Sequence, residues 1–126
     1  MKLLQFQHDW IMRQIDAVLS FMVFLVTGKK TLLSLEDFAE KASQGNEFHL
    51  QLDELVKQGK ICEAENMLFN AIDQEDRSVL ESAILFYANV NKLSDDDLEE
   101  CEFSRDEVRE GLRDVCSAYG IWCDLF

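Results

Sequence analysis

The chain has no proline and only five glycines in 126 residues. Nothing therefore forbids long helices, and collagen-like or loop-dominated architectures are excluded. Apolar residues do not alternate with polar ones over any useful length, which argues against half-buried strands. Histidine occurs only at positions 8 and 49. Cysteines stand at 62, 101, 116 and 123, and no two have the C-x-x-C spacing of strong zinc or redox motifs. The combined set His8, His49, Cys62, Cys101, Cys116 and Cys123 matches no standard zinc pattern. There is no Ser-His-Asp order, no phosphate-cradling glycine loop and no H-E-x-x-H. The expectation is no cofactor, no structural metal, no bridged cysteine pair and no catalytic constellation.

Basic residues are also scarce: 12 against 25 acids, a net charge of −13. Such a chain repels a phosphate backbone, and no Lys/Arg cluster makes a basic patch, so nucleic acid is not an expected partner. A mimic of DNA is conceivable, but acidity more often serves solubility. The charge is uneven. Residues 1–32 carry four basic and two acidic side chains, a net +2, which leaves −15 for the remainder. The run Ala17–Val26 is apolar except for Ser20, yet it has ten residues, whereas a membrane span needs about 20. Arg13 and Asp16 would enter the bilayer if it were extended upstream. No secretory signal is evident. The expectation is a cytoplasmic protein with free thiols and no membrane span.

With 48% hydrophobic residues, the chain can build a core, and its length suits a single domain over 1–126. The reading is all-α, with six or seven short helices: an apolar N-terminal helix within 1–32 and an array of helical hairpins over 46–119. The first helix is expected from about Asp9 to Thr27, stopped by Gly28 and followed by Lys29 and Lys30 at its negative end. Ile11, Ile15, Val18, Met22 and Leu25 form one stripe, and Phe21 and Phe24 a second. A helix apolar on nearly every side needs cover on every side. It is therefore read as a central or dimer-forming element, with Phe21, Met22, Phe24, Leu25 and Val26 as its self-association surface.

Ser34 opens a second helix with Leu35, Phe38 and Ala42 inward, and Ser43–Asn46 is a loop by composition. Phe48, Leu52, Leu55 and Val56 line a third helix ending near Gly59. Val79, Ala83, Phe86, Tyr87 and Val90 stripe a fifth. Asp95-Asp96-Asp97 reads as acids at a helix start, because an EF-hand loop would need a central glycine and spaced ligands. Ser104-Arg105-Asp106-Glu107 is a capping box opening the last helix, which Gly120 stops. Arg105, Arg109 and Arg113 share one face of that helix, with Glu102, Asp106 and Glu110 placed for intrahelical ion pairs. The tail Ile121–Phe126 is apolar enough to dock on the domain.

Gly59 through Ile72 is the most telling stretch. Gly59, Ile61, Ala64, Leu68 and Ala71 fit the second-helix pattern of a tetratricopeptide repeat, and Phe48 and Leu55 fill large first-helix positions. Leu52 departs where a small residue is preferred, and Asp76 where proline is usual. One register on, Leu93 and Leu98 occupy the small positions, so no second copy follows. The segment thus resembles one degenerate repeat. Over the whole length, Asp9-Trp10-Ile11-Met12-Arg13-Gln14-Ile15, the lone hairpin, and Phe103-Ser104-Arg105-Asp106-Glu107 through Tyr119-Gly120-Ile121 resemble a family of small helical proteins from Gram-positive bacteria. The resemblance implies a cytoplasmic, tetratricopeptide-like protein and supplies no activity. The expected function is a non-catalytic protein–protein interaction module, with a protein partner and a possible homodimer. The alternative is a small-ligand or metal-binding sensor or an enzyme, with a site between helices holding Arg13, His49 or a cysteine.

Overall fold

The computed structural model describes residues 2–28, 34–42, 44 and 46–121, with side chains from residue 9 onward. Among the described residues there are seven helices and no strand. They are α1 (Lys2–Val26), α2 (Leu35–Ala42), α3 (Glu47–Lys57), α4 (Ile61–Ala71), α5 (Arg77–Asn91), α6 (Asp95–Glu100) and α7 (Arg105–Ala118). They form one compact all-α domain. None is long and apolar enough to cross a membrane.

Local sequence sets most of the boundaries. Each helix start leaves backbone N–H groups without intrahelical partners, and a short polar side chain satisfies one of them. The Asp37 N–H donates to Ser34 Oγ at 3.1 Å. Asn46 caps α3, accepting from the His49 N–H at 2.9 Å. Asp76 caps α5, Ser94 caps α6, and Ser104 with Glu107 forms the full capping box of α7. At the far ends, Gly59 and Gly120 take positive φ and reverse the chain. At the first, the Gly59 N–H donates to Val56 and the Lys60 N–H to Leu55, the paired reverse bonds of a Schellman stop. The same pattern closes α6, but Glu102 holds the left-handed position there, at φ 57°.

The centre of the domain is α5, not α1. Val79, Leu80, Ala83, Ile84, Leu85, Phe86, Tyr87, Ala88 and Val90 are all buried, and α5 packs against α1, α2, α3, α4 and α7. The stripe read from sequence left out Leu80, Ile84, Leu85 and Ala88, which complete its circumference. Helix α1 has two faces. Ile11, Ile15, Val18, Leu19, Met22 and Val23 are buried, while Asp9, Trp10, Arg13, Asp16, Ala17, Ser20 and Phe21 are exposed. The charged residues on that outer face are the reason it is not central: full enclosure on every side would strip Asp9, Arg13 and Asp16 of water. The helix also begins at Lys2, seven residues before the predicted Asp9.

Helices α3 and α4 are joined by three residues and pack on one another. Ile61, Ala64 and Leu68 have no exposed surface, nor does Leu52, the large residue at a small position of the repeat pattern. Phe48, Leu55 and Ala71 are half-buried against the same core. Residues 29–33 and 122–126 lie outside the described residues, and with them the Lys29-Lys30 pair and most of the apolar tail.

Candidate interaction surfaces

Among the described residues, two apolar surfaces remain open on this frame. The first is a groove of about 540 Å³ on the α3–α4 pair, lined by Leu50, Gln51, Glu54, Leu55 and Met67. Leu50 is 55% exposed. It lies off the inward stripe Phe48-Leu52-Leu55-Val56, so α3 carries apolar side chains on two faces. Among the described residues no lysine or arginine lines the groove. Glu54 stands in it, and the exposed Glu47 and Glu63 lie one turn before Gln51 and Met67 on the same helix faces.

The second surface is the outer face of α1. Trp10 is 55% and Phe21 45% exposed. Of the residues expected to mediate self-association, Phe21 does face outward, and Phe24, Leu25 and Val26 are half-buried. Leu25 and Val26 line a smaller cleft with Leu80, Tyr119 and Ile121. Met22 is a correction: it has no exposed surface and accepts a weak hydrogen bond from Cys116 Sγ at 3.8 Å. It sits just over half a turn from Phe24 on a helix with one core face, so the two cannot share a surface.

Among the described residues, polar groups converge at three places. Arg105 is buried, donating to the backbone carbonyls of Asn91 and Leu93 at 2.8 and 2.7 Å and to Asp95 Oδ1 at 2.9 Å. Its expected intrahelical pairing with Glu102 is therefore not the one formed. Glu102 sits in the αL turn before α7, out of the i, i+3 geometry of a helix. Arg109 does pair with Asp106, at 3.2 Å. The Asn91 amide donates to Met12 O and Asp16 Oδ1 at 3.1 and 3.0 Å, tying α5 to α1. Asp16 and Asn91 edge a cleft of about 470 Å³ with Ser20, Ser34 and Lys92.

In the second cluster, Tyr87 Oη donates to Glu65 Oε2 at 2.7 Å. Burial raises the Glu65 carboxyl pKa, helped by Glu107, Asp114 and Glu110, while the Tyr87 bond pulls it down. Burial and Glu65 push the phenol far up, so it keeps its proton. A raised carboxyl beside a tyrosine is a familiar proton-transfer pair. Here Tyr87 has no exposed surface and Gly111 closes over both groups, so no substrate reaches the phenol.

The third cluster joins α3 to α5: Asn46 Nδ2 donates to Ser82 Oγ at 3.1 Å. Next to Asn46 on α3, His49 is buried, and its Nδ1 has no hydrogen-bond partner. Burial lowers its pKa, against an opposing pull from Asp53.

The described cysteines Cys62, Cys101 and Cys116 are not disulfide-bonded. The Cys62 thiol pKa is raised by burial and by Glu107, Glu65 and Glu102, the reverse of what a nucleophile needs. Among the described residues no three His, Cys, Asp or Glu side chains gather into a metal-binding group. The His8 side chain and Cys123 lie outside them. Sequence reasoning missed Leu50, Gln51, Glu54 and Met67. The readable signal was Leu50, an apolar residue off the stripe of its own helix.

The fold and these surfaces define a small all-helical domain with open apolar faces. The chain belongs to a family of unknown function (DUF6483), whose profile matches residues 5–120. No curated protein and no solved structure matches it.

Proposed function

We propose that this domain is a non-catalytic protein–protein interaction module acting in the cytoplasm, and that α3–α4 is a degenerate tetratricopeptide-like hairpin serving as its recognition element. The observation that carries the reading is the α3–α4 groove: a nearly unbroken apolar floor of Leu50, Leu55 and Met67, with Glu54 and no described lysine or arginine lining it. A monomeric domain gains nothing by leaving Leu50 and the outer side of half-buried Met67 in water, whereas a partner side chain seated there gains about 25 cal/mol per Å² of apolar area removed from water. The chemistry fits an amphipathic helix that presents apolar residues at i, i+3, i+4 and i+7 and basic residues at its flanks.

The test uses two labelled model peptides with the same leucine face, one with lysine and one with glutamate on the other positions. Fluorescence anisotropy should detect binding of the lysine peptide, loss of that binding in Leu50→Asp and Met67→Asp, and none with the glutamate peptide. Leu50→Asp adds negative charge, so a purely electrostatic attraction would strengthen. Binding that survives Leu50→Asp, or fails with wild type, overturns the reading.

A further inference from the structure

We infer that a second copy of this chain covers the outer face of α1, in an antiparallel pair of α1 helices whose two-fold axis passes beside Ala17. This stands independently of the α3–α4 groove. Trp10, Ala17 and Phe24 recur every seven residues, and Arg13 and Phe21 fill the turns between them. At 3.6 residues per turn these five lie on one stripe, away from the buried Ile11, Ile15, Val18, Leu19 and Met22. Trp10 and Phe21 are about half exposed, Arg13 and Ala17 are exposed, and Phe24 is half-buried.

What selects a second copy is that the stripe is its own complement. A two-fold interface must read the same from either partner. Outward from Ala17, the order is Arg13 then Trp10 in one direction and Phe21 then Phe24 in the other. Reversing one helix about Ala17 sets Trp10 against Phe24 of the second copy and Arg13 against its Phe21. The ends of the contact are then aromatic on aromatic. Arg13 lies over an aromatic ring, a cation–π arrangement. Ala17 meets Ala17, where small side chains let the helices approach. A parallel pairing would instead put Arg13 against Arg13. In the antiparallel pair the two arginines are separated by eight residues of rise, about 12 Å along the axis.

The test is sedimentation equilibrium on the full chain, comparing wild type, Trp10→Lys, Phe24→Glu, the double variant and Ala17→Glu, each checked for helix content by circular dichroism. Wild type should dimerise at micromolar concentration. Each single variant should weaken the dimer at least about tenfold, as for a residue at the centre of an interface. Residues 10 and 24 are about 21 Å apart within one helix, so they cannot compensate each other inside a monomer. Across the antiparallel interface the introduced lysine of one copy meets the introduced glutamate of the other, and the double variant should dimerise severalfold more tightly than the product of the two single losses predicts. Ala17→Glu, at an exposed position, keeps the test informative if Phe24→Glu perturbs folding. A monomeric wild type, its stripe covered by residues 122–126 or by a different protein, overturns the inference. So does a dimer indifferent to Trp10→Lys and Ala17→Glu. Weakening by the single variants, with a double variant no tighter than the product of their losses, overturns the antiparallel register.

Discussion

A hydrogen atom is all that fits at position 111. An added Cβ would collide with the Glu65 carboxylate and the Tyr87 hydroxyl, the two ends of the bond that links α4 to α5. In an exposed helix, glycine to alanine stabilises by about 1 kcal/mol. Here Gly111→Ala should do the opposite. Separating the pair leaves the phenol buried and unsatisfied, at about 1–3 kcal/mol, and the urea midpoint should fall. A rise would mean that Glu65 swings away freely. His49 is the other residue whose surroundings decide its effect. Its folded pKa is lowered from 6.5 by burial, so the unfolded chain binds the proton more readily. Its contribution to stability is present above about pH 6.5 and is lost as pH falls through the lower folded value. Glu65, with its raised pKa, acts in the opposite sense, so the informative quantity is a difference. Between pH 7 and 5, wild type should lose more stability than His49→Leu, measured by urea unfolding at each pH. Parallel curves would show that the imidazole charges without penalty.

Helix α7 is anchored at its first turn by a side chain that reaches backward. Arg105 closes the α5–α6–α7 corner by satisfying the Asn91 and Leu93 carbonyls at the end of α5 and pairing with Asp95 at the start of α6. Arg105→Met keeps the apolar stem and strands both carbonyls, and it should cost about 3 kcal/mol. Arg105→Lys, with one compact ammonium in place of a planar fork, should recover only part of that. Chemical denaturation reads both, and hydrogen exchange should place the loss of protection in α6 and the start of α7. If the loss is uniform, the arginine contributes to global stability without holding this corner. The three-residue spacing from Glu102 suggested a surface ion pair. The left-handed turn at Glu102 breaks the helix on which that spacing depends.

Across the whole molecule, −13 charges per chain oppose any association of copies. If α1 pairs through its aromatic stripe, added salt screens that repulsion while leaving the apolar contact intact. The dimer should therefore tighten as salt rises from about 0.05 to 0.5 M, across which the Debye length falls severalfold. A dimer that weakens with salt would be held by opposite charges, and so by a different surface. The groove on α3–α4 should respond in the opposite way, losing affinity for a basic helix as salt rises. The two surfaces can thus be told apart in one salt series.

Sequence alone determined the helices and most of their ends. Capping is local chemistry: Ser34, Ser94 and Ser104 accept bonds from their own helix starts, and Gly59 and Gly120 reverse the chain where no side chain obstructs. It also marked Ile61, Ala64 and Leu68 as inward, since helical spacing alone puts them on one face. Which helix lies at the centre was decided only by packing. Both α1 and α5 are rich in apolar residues, and α5 is enclosed because five other helices pack around it. The partners of Arg105, the Glu65–Tyr87 bond and the cover of Gly111 join residues 10 to 46 positions apart, so no local pattern encodes them. The groove needed two helices laid side by side before Leu50 and Met67 could share a surface. Periodicity says which side of a helix is apolar, and the tertiary structure decides which of those sides is left uncovered.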